Sequence, residues 1–265
     1  MADKKDGGYA PLNGLVVHAA RGEVSKLAAY LSSNSHLPGP RANLELLAAF
    51  STSIRKSKVE PNQLWKLCFE LRESADEFVA MCGVRGMGAI GVTNPQAFGK
   101  RSISELRASA SSPNWRVREA VAMAVQDLLE SNPGTIDELQ EWIRSGDCLQ
   151  MRAVAAGVAE PRLLKSDKVA RSALRVHQSI FRALNNAERR SGEFKVLRQA
   201  LAYSLSVVVA ALPEEGFEYM QTLVAKGDPD ILWICRENLK KNRLASHFPR
   251  EVKALSAMAN RWTVA

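Results

Sequence analysis

Residues 83–92 read GVRGMGAIGV. Within them Gly86-Met87-Gly88-Ala89-Ile90-Gly91 matches G-x-G-x-x-G, the pattern of a turn that cradles a dinucleotide's phosphates. That chemistry needs a strand before the turn, a helix after it and an acidic residue about 20 positions on. The chain offers a different context. VRGMGAIGV (84–92) aligns with VREAVAMAV (117–125), which sets the three glycines on Glu119, Val121 and Ala124 of an evident helix. Glycine inside a helix costs up to about 1 kcal/mol relative to alanine. Three of them predict a helix lying close against a neighbouring backbone, and no strand precedes them.

The same register extends outward. Val84-Arg85, Val117-Arg118, Met151-Arg152, Leu197-Arg198 and Cys235-Arg236 each set an apolar residue before an arginine, at intervals of 33, 34, 46 and 38 residues. Between them run helical patterns of about 10 to 20 residues, punctuated by turns such as TNPQ, SSPN, SNPG, SGD and KGDPD. Such spacing matches a repeat of two helices with the arginine early in the second. The repeats resemble HEAT repeats, and Asp147 and Asp228 stand where that repeat often carries an acid before its second helix. The resemblance implies an all-α protein, an α-solenoid of stacked HEAT-like helical repeats with a concave face. We expect a disordered tail over residues 1–10, an N-terminal helical cap over 11–58 with helices near 23–33 and 42–56, and repeats over 59–265. Each repeated arginine also has a plain structural use, as one rung of an Asp/Arg ladder between neighbouring repeats.

Composition agrees with helices. The chain has 265 residues, 46% hydrophobic and only 6% aromatic, and Val and Ile form no short alternating runs, so almost no strand is expected. No apolar run approaches the 18 or so residues of a membrane span, and MADKKDGGYA at the start lacks a signal peptide's apolar segment. A cytoplasmic protein is expected. Cys68, Cys82, Cys148 and Cys235 are too scattered for a disulfide framework or zinc site, and the four histidines do not share metal-ligand spacing, so no metal and no cofactor are expected.

The net charge is +8, and from Arg162 to Arg198 ten basic residues face three acids. Such a balance suits an anionic partner. In SDKVARSALRVHQSIFRALNNAERR, residues Arg171, Arg175, Gln178 and Arg182 recur at i, i+4, i+7 and i+11, which predicts one polar stripe on a helix. A solvated helix face would look the same. A row of guanidinium groups also suits phosphate oxygens. RENLKKNRL adds Arg236, Lys240 and Lys241 near a helix end, where the dipole alone favours cations.

No H-E-x-x-H, Walker A or G-x-S-x-G motif is present. Two stretches, NWRVREAVAMAV and DPDILWICRENLKKNRL, each hold Trp-x-x-x-Glu: Trp115 with Glu119, and Trp233 with Glu237. A spacing of four sets indole and carboxylate on one helix face, an arrangement suited to a cation, although a solenoid also buries Trp as core. These stretches, with MRAVAAGVAEPRLL between them, resemble the HEAT-like DNA glycosylases of the bacterial DNA alkylation repair (AlkD-like) family. The resemblance implies that Trp115 and Trp233 wall a site for a cationic nucleotide and that Glu119 stands at the position of the family's catalytic Asp, one methylene longer. It further implies that Arg152 stands for the arginine of the intermediate repeat and that arginines on the same face contact the DNA backbone. With the basic stretches read above, the candidate contacts to the phosphates of duplex DNA are Arg118, Arg152, Arg171, Arg175, Arg182, Arg198, Arg236, Lys240 and Lys241. The implied reaction hydrolyses the N-glycosidic bond of an N3- or N7-alkylated purine without metal or cofactor. The alternative is a non-catalytic scaffold whose basic groove takes an acidic protein partner. Arginines on one strip with Trp115 and Trp233 favour DNA, whereas buried indoles and arginines paired to Asp147 and Asp228 favour the scaffold.

Overall fold

A computed structural model describes residues 9–263. Residues 1–8 of the expected disordered tail lie outside the described residues, and the Tyr9 hydroxyl donates to Asn43 Oδ1 at 3.2 Å. The protein is all-α, with no strand among the described residues. It forms two compact units, Met1–Asn132 and Pro133–Ala265.

The first unit holds α1 (Leu12–Ala20), α2 (Val24–Ser33), α3 (Leu44–Lys56), α4 (Pro61–Arg72), α5 (Glu77–Thr93), α6 (Pro95–Ala110) and α7 (Trp115–Ser131). The second holds α8 (Gln140–Arg144), α9 (Cys148–Val158), α10 (Asp167–Ala183), α11 (Gly192–Ala211), α12 (Pro213–Ala225), α13 (Pro229–Leu239), α14 (Asn242–Ala245) and α15 (Pro249–Asn260).

The residues that start these helices follow from the free N–H groups every helix leaves at its first turn. In α4, α6, α12 and α15 a proline opens the helix, where its missing N–H costs nothing. A side chain that accepts from those N–H groups starts α5, α7, α9 and α11, and also α13, which in addition opens on Pro229. Asp76 takes Phe78 N and Val79 N, Asn114 takes Arg116 N, Asp147 takes Leu149 N and Gln150 N, Ser191 takes Phe194 N, and Asp228 takes Asp230 N and Ile231 N. All five repeated arginines lie within these side-chain-capped helices.

One helix in each unit packs on most of its neighbours. In the first unit α5 packs on α3, α4, α6 and α7, so both sides of residue 58 share this centre. GVRGMGAIGV is the interior of that helix, and its glycines are the contact points. A Cβ on Gly83 would stand 2.6 Å from Cys68 O and 2.8 Å from Arg72 Cα, both backbone of α4. On Gly88 it would stand 2.7 Å from Ala124 Cβ of α7, and on Gly91 2.5 Å from Ser102 Oγ of α6. A phosphate loop is therefore excluded here: the glycines let three helices approach one.

The steric difference gives a paired prediction. Gly83→Ala must push α4 away against main-chain atoms and should lose about 2 kcal/mol, since overpacking outweighs the gain in helix propensity. Gly99→Ala, in α6 with nothing within 4 Å of its Cβ position, should gain about 0.5–1 kcal/mol. Urea midpoints of the two variants should move in opposite directions.

In the second unit α11 plays the central part, packing on α9, α10, α12, α13 and α14. It is the one helix among the described residues long and apolar enough to cross a membrane, and 56% of its apolar window is buried inside the protein. The expectation that no apolar run reaches this length was drawn from contiguous residues. Across residues 192–211 the charges Glu193, Lys195 and Arg198 fall in the first two turns and leave the remainder uncharged.

Candidate functional site

Asn114 caps α7 and so makes Trp115 its first helical residue, with the indole 49% exposed. The guanidinium of Arg116 lies 4.4 Å from the Trp115 ring centroid. Arg116 is itself buried and fixed, donating to Glu77 Oε2 at 3.0 Å and Gly39 O at 3.4 Å. Glu119 stands one turn after Trp115, half-buried, and makes no ion pair or hydrogen bond among the described residues. The Arg118 Nη1 donates to Ser112 O at 2.6 Å and Pro113 O at 2.9 Å, closing the α6–α7 turn.

The other predicted wall, Trp233, belongs to the second unit. Arg198 of α11 stacks its guanidinium 4.1 Å from the Trp233 ring centroid and pairs with Asp230 Oδ1 at 2.6 Å. Arg189 then bridges Asp230 and the capping Asp228, each at 3.2 Å. Thus Asp228 does meet an arginine, Arg189, while the repeated arginine Arg198 meets Asp230. Trp233 also borders a groove of about 570 Å³ between α13 and α15, with Glu237, Lys240, Val252, Ser256 and Asn260 along its sides. Glu237 is paired to Lys240 at 2.5 Å, so its carboxylate differs from that of Glu119 in having a cation on it. Arg236 donates to Ala259 O of α15 at 2.8 Å.

No family model, no curated protein and no solved structure matches this chain.

The predicted stripe lies on α10. Ala170, Ala173, Leu174, Val176, His177, Ile180 and Phe181 are buried, and Arg171, Arg175 and Arg182 are exposed on the opposite side. Their surroundings differ. Arg171 pairs with Glu215 Oε1 of α12 at 2.7 Å, and that hydrogen bond raises its pKa further. Arg175 and Arg182 donate instead to neutral serines one turn back, Ser172 at 2.7 Å and Ser179 at 3.0 Å, and make no ion pair among the described residues. Arg152 lies half-buried on α9.

Lys241, the last predicted contact, leads to a residue sequence reasoning missed. Its ammonium lies 5.8 Å from the ring centroid of Tyr203, and Arg243 lies 4.6 Å from the same centroid. Tyr203 is 50% exposed on α11, whereas its neighbours Ala202, Ser204 and Leu205 are buried. In the run LAYSLSVVV it reads as one more core position.

All four cysteines are free and buried, and burial pushes the thiols of Cys68, Cys82 and Cys235 up, away from the reactive thiolate. Among the described residues no three His, Cys, Asp or Glu side chains gather as metal ligands.

Proposed function

We propose that this chain binds the backbone of duplex DNA through α10, as a HEAT-like α-solenoid of the alkylation-repair type. The observation that carries the reading is the pair of exposed guanidiniums, Arg175 and Arg182, held by neutral serines rather than carboxylates. Like charges on one helix face destabilise it slightly. A stripe kept cationic along seven residues, about 10 Å of helix, is matched to an anionic rod. The solenoid reading is supported by the alternation of proline-led and side-chain-capped helices in α4 to α7. Cytoplasmic placement goes with this reading.

Replacing Arg175 and Arg182 by Ala should weaken duplex binding about tenfold for all sequences alike and reduce the salt slope by about two. Fluorescence anisotropy across a salt series measures both. Unchanged affinity and slope would remove α10 from the interface.

Catalysis is the next step of the same reading. Trp115 offers a half-exposed indole, and Glu119 beside it a carboxylate without a partner among the described residues. In the proposed reaction the N-glycosidic bond of a cationic N3- or N7-alkylated purine breaks with its electron pair going to the base, which leaves neutral; the carboxylate stabilises the positive sugar, and water adds to the sugar carbon while giving a proton to that carboxylate or to solvent. Release of methylated purine from N-methylated duplex, lost in Glu119→Gln, would assign the glycosylase. Duplex binding without release would leave a non-cutting relative.

A scaffold for an acidic protein is favoured by one observation: Arg171, Arg189 and Arg198 already have carboxylate partners within their own unit. In that case a flexible polyanion such as polyglutamate would compete for the α10 stripe as well as duplex does.

A further inference from the structure

We infer that Tyr203, Lys241 and Arg243 form a second anion site, one that takes a phosphate group of the nucleic-acid strand. It rests on the DNA-binding reading and adds to it a contact made by residues of α11 and the α13–α14 turn.

The geometry starts from the phenol. Arg243 Nη2 donates to the Tyr203 hydroxyl oxygen at 2.8 Å. The oxygen is thereby used as an acceptor, and its own proton remains to be donated outward. The guanidinium lies against the ring at 4.6 Å and the ammonium of Lys241 at 5.8 Å, so two cations converge on one half-exposed aromatic. Neither cation makes an ion pair among the described residues. Placing two positive groups side by side without a carboxylate costs Coulomb energy, which the ring's negative face offsets only in part. An anion in front of the ring edge removes that cost and receives three kinds of donor: the phenol O–H, the remaining guanidinium N–H groups and the ammonium. A phosphate diester oxygen matches that set, because charge-assisted hydrogen bonds from Arg and Lys are the strong ones and the phenol adds direction. The two cations reach the site from one short turn, as Lys241 and Arg243 flank Asn242 at the start of α14.

Two variants separate charge from hydrogen bonding. Lys241→Ala/Arg243→Ala should weaken duplex binding about tenfold and lower the salt slope by about one, since the pair shares one phosphate. Tyr203→Phe keeps the ring and removes only the donor, so it should weaken binding about threefold with the slope unchanged. A third measurement does not depend on DNA: inorganic phosphate should raise the melting temperature of the wild-type protein and protect Lys241→Ala/Arg243→Ala less. If the wild type binds duplex and both variants match it in affinity and slope, this site is overturned and the α10 reading stands. If the wild type binds no duplex but phosphate protection depends on Lys241 and Arg243, the DNA reading fails and the anion site is kept, its source being free phosphate or a phosphorylated protein. If phosphate protects wild type and variant equally, the site is overturned as well.

Discussion

Replacing Asp127 by Ala should cost the first unit about 3–5 kcal/mol, enough to unfold a marginal domain at room temperature. Its carboxylate is only 4% exposed and accepts from Arg55 Nη2 of α3 at 3.0 Å and from Arg85 Nε of α5 at 3.3 Å. One buried anion on α7 thus holds cations from two other helices. Taking three charges out of water is expensive, and their attraction offsets that cost only while the set is complete. Removing the carboxylate leaves two guanidiniums facing each other, with Arg85 just 15% exposed and unable to reach solvent freely. Arg55, about a third exposed, can partly rehydrate, which places the expected loss toward the lower end of the range. The cause can be tested against simple loss of packing. Arg55→Met/Arg85→Met/Asp127→Leu removes all three charges and should recover most of the stability, because apolar replacement of a whole buried ionic set is often neutral or better. If the triple variant is as unstable as Asp127→Ala, packing rather than an orphaned charge sets the loss. The consequence reaches the candidate site, since α7 also carries Trp115 and Glu119.

How much of this could be read in the sequence differs residue by residue. Helices and their starts were legible because their signals are local: a proline at the first position, or Asp, Asn or Ser accepting from the next turn. The glycines of α5 were legible as close packing, since three residues of low helix propensity in a helical register need a tertiary reason. Which neighbours press on them, Cys68 on Gly86, Ala124 on Gly88 and Ser102 on Gly91, was not. The stripe on α10 was visible because period 3.6 sorts Arg from Leu along one helix. Whether a guanidinium is already neutralised is a different kind of fact. Arg171 finds Glu215 on another helix while Arg175 finds only Ser172, and no spacing tells these apart. The same holds for Asp127 in VQDLLES, whose partners Arg55 and Arg85 come from α3 and α5, and for Trp233, whose guanidinium neighbour comes from Arg198 on α11. The division between Asn132 and Pro133 lies at SNPG, a turn like the others, because a unit boundary depends on which helices share contacts.

Lowering the pH from 7 to 5 should remove about 2 kcal/mol from the second unit through His177 alone, and about 3 kcal/mol by pH 4. The imidazole is fully buried between α10 and α11, and burial depresses its pKa from 6.5 to about 4. Its tautomer follows from its neighbours. Nδ1 lies 2.9 Å from Ala173 O, which can only accept, so Nδ1 carries the proton. Nε2 then accepts from the Ser204 hydroxyl at 2.9 Å. In this neutral form both nitrogens are satisfied. The unfolded chain binds a proton near pH 6.5 and the folded chain only near 4, so the unfolded state gains protons first as acid is added. Stability from this group is complete above 6.5 and is lost as pH falls toward 4. Carboxylates add their own losses below about pH 5, and the diagnostic window is therefore 7 to 5. His177→Gln, which cannot titrate, should be less stable than wild type at pH 7 yet nearly flat across that window, as read by urea denaturation at each pH. Parallel loss in both proteins would assign the acid sensitivity elsewhere. Because arginine stays charged throughout, the duplex binding proposed for α10 should survive mild acid until the packing around His177 gives way. A fall in binding that tracks unfolding of the second unit in wild type, and shifts to lower pH in His177→Gln, would tie the stripe's function to the helix that presents it.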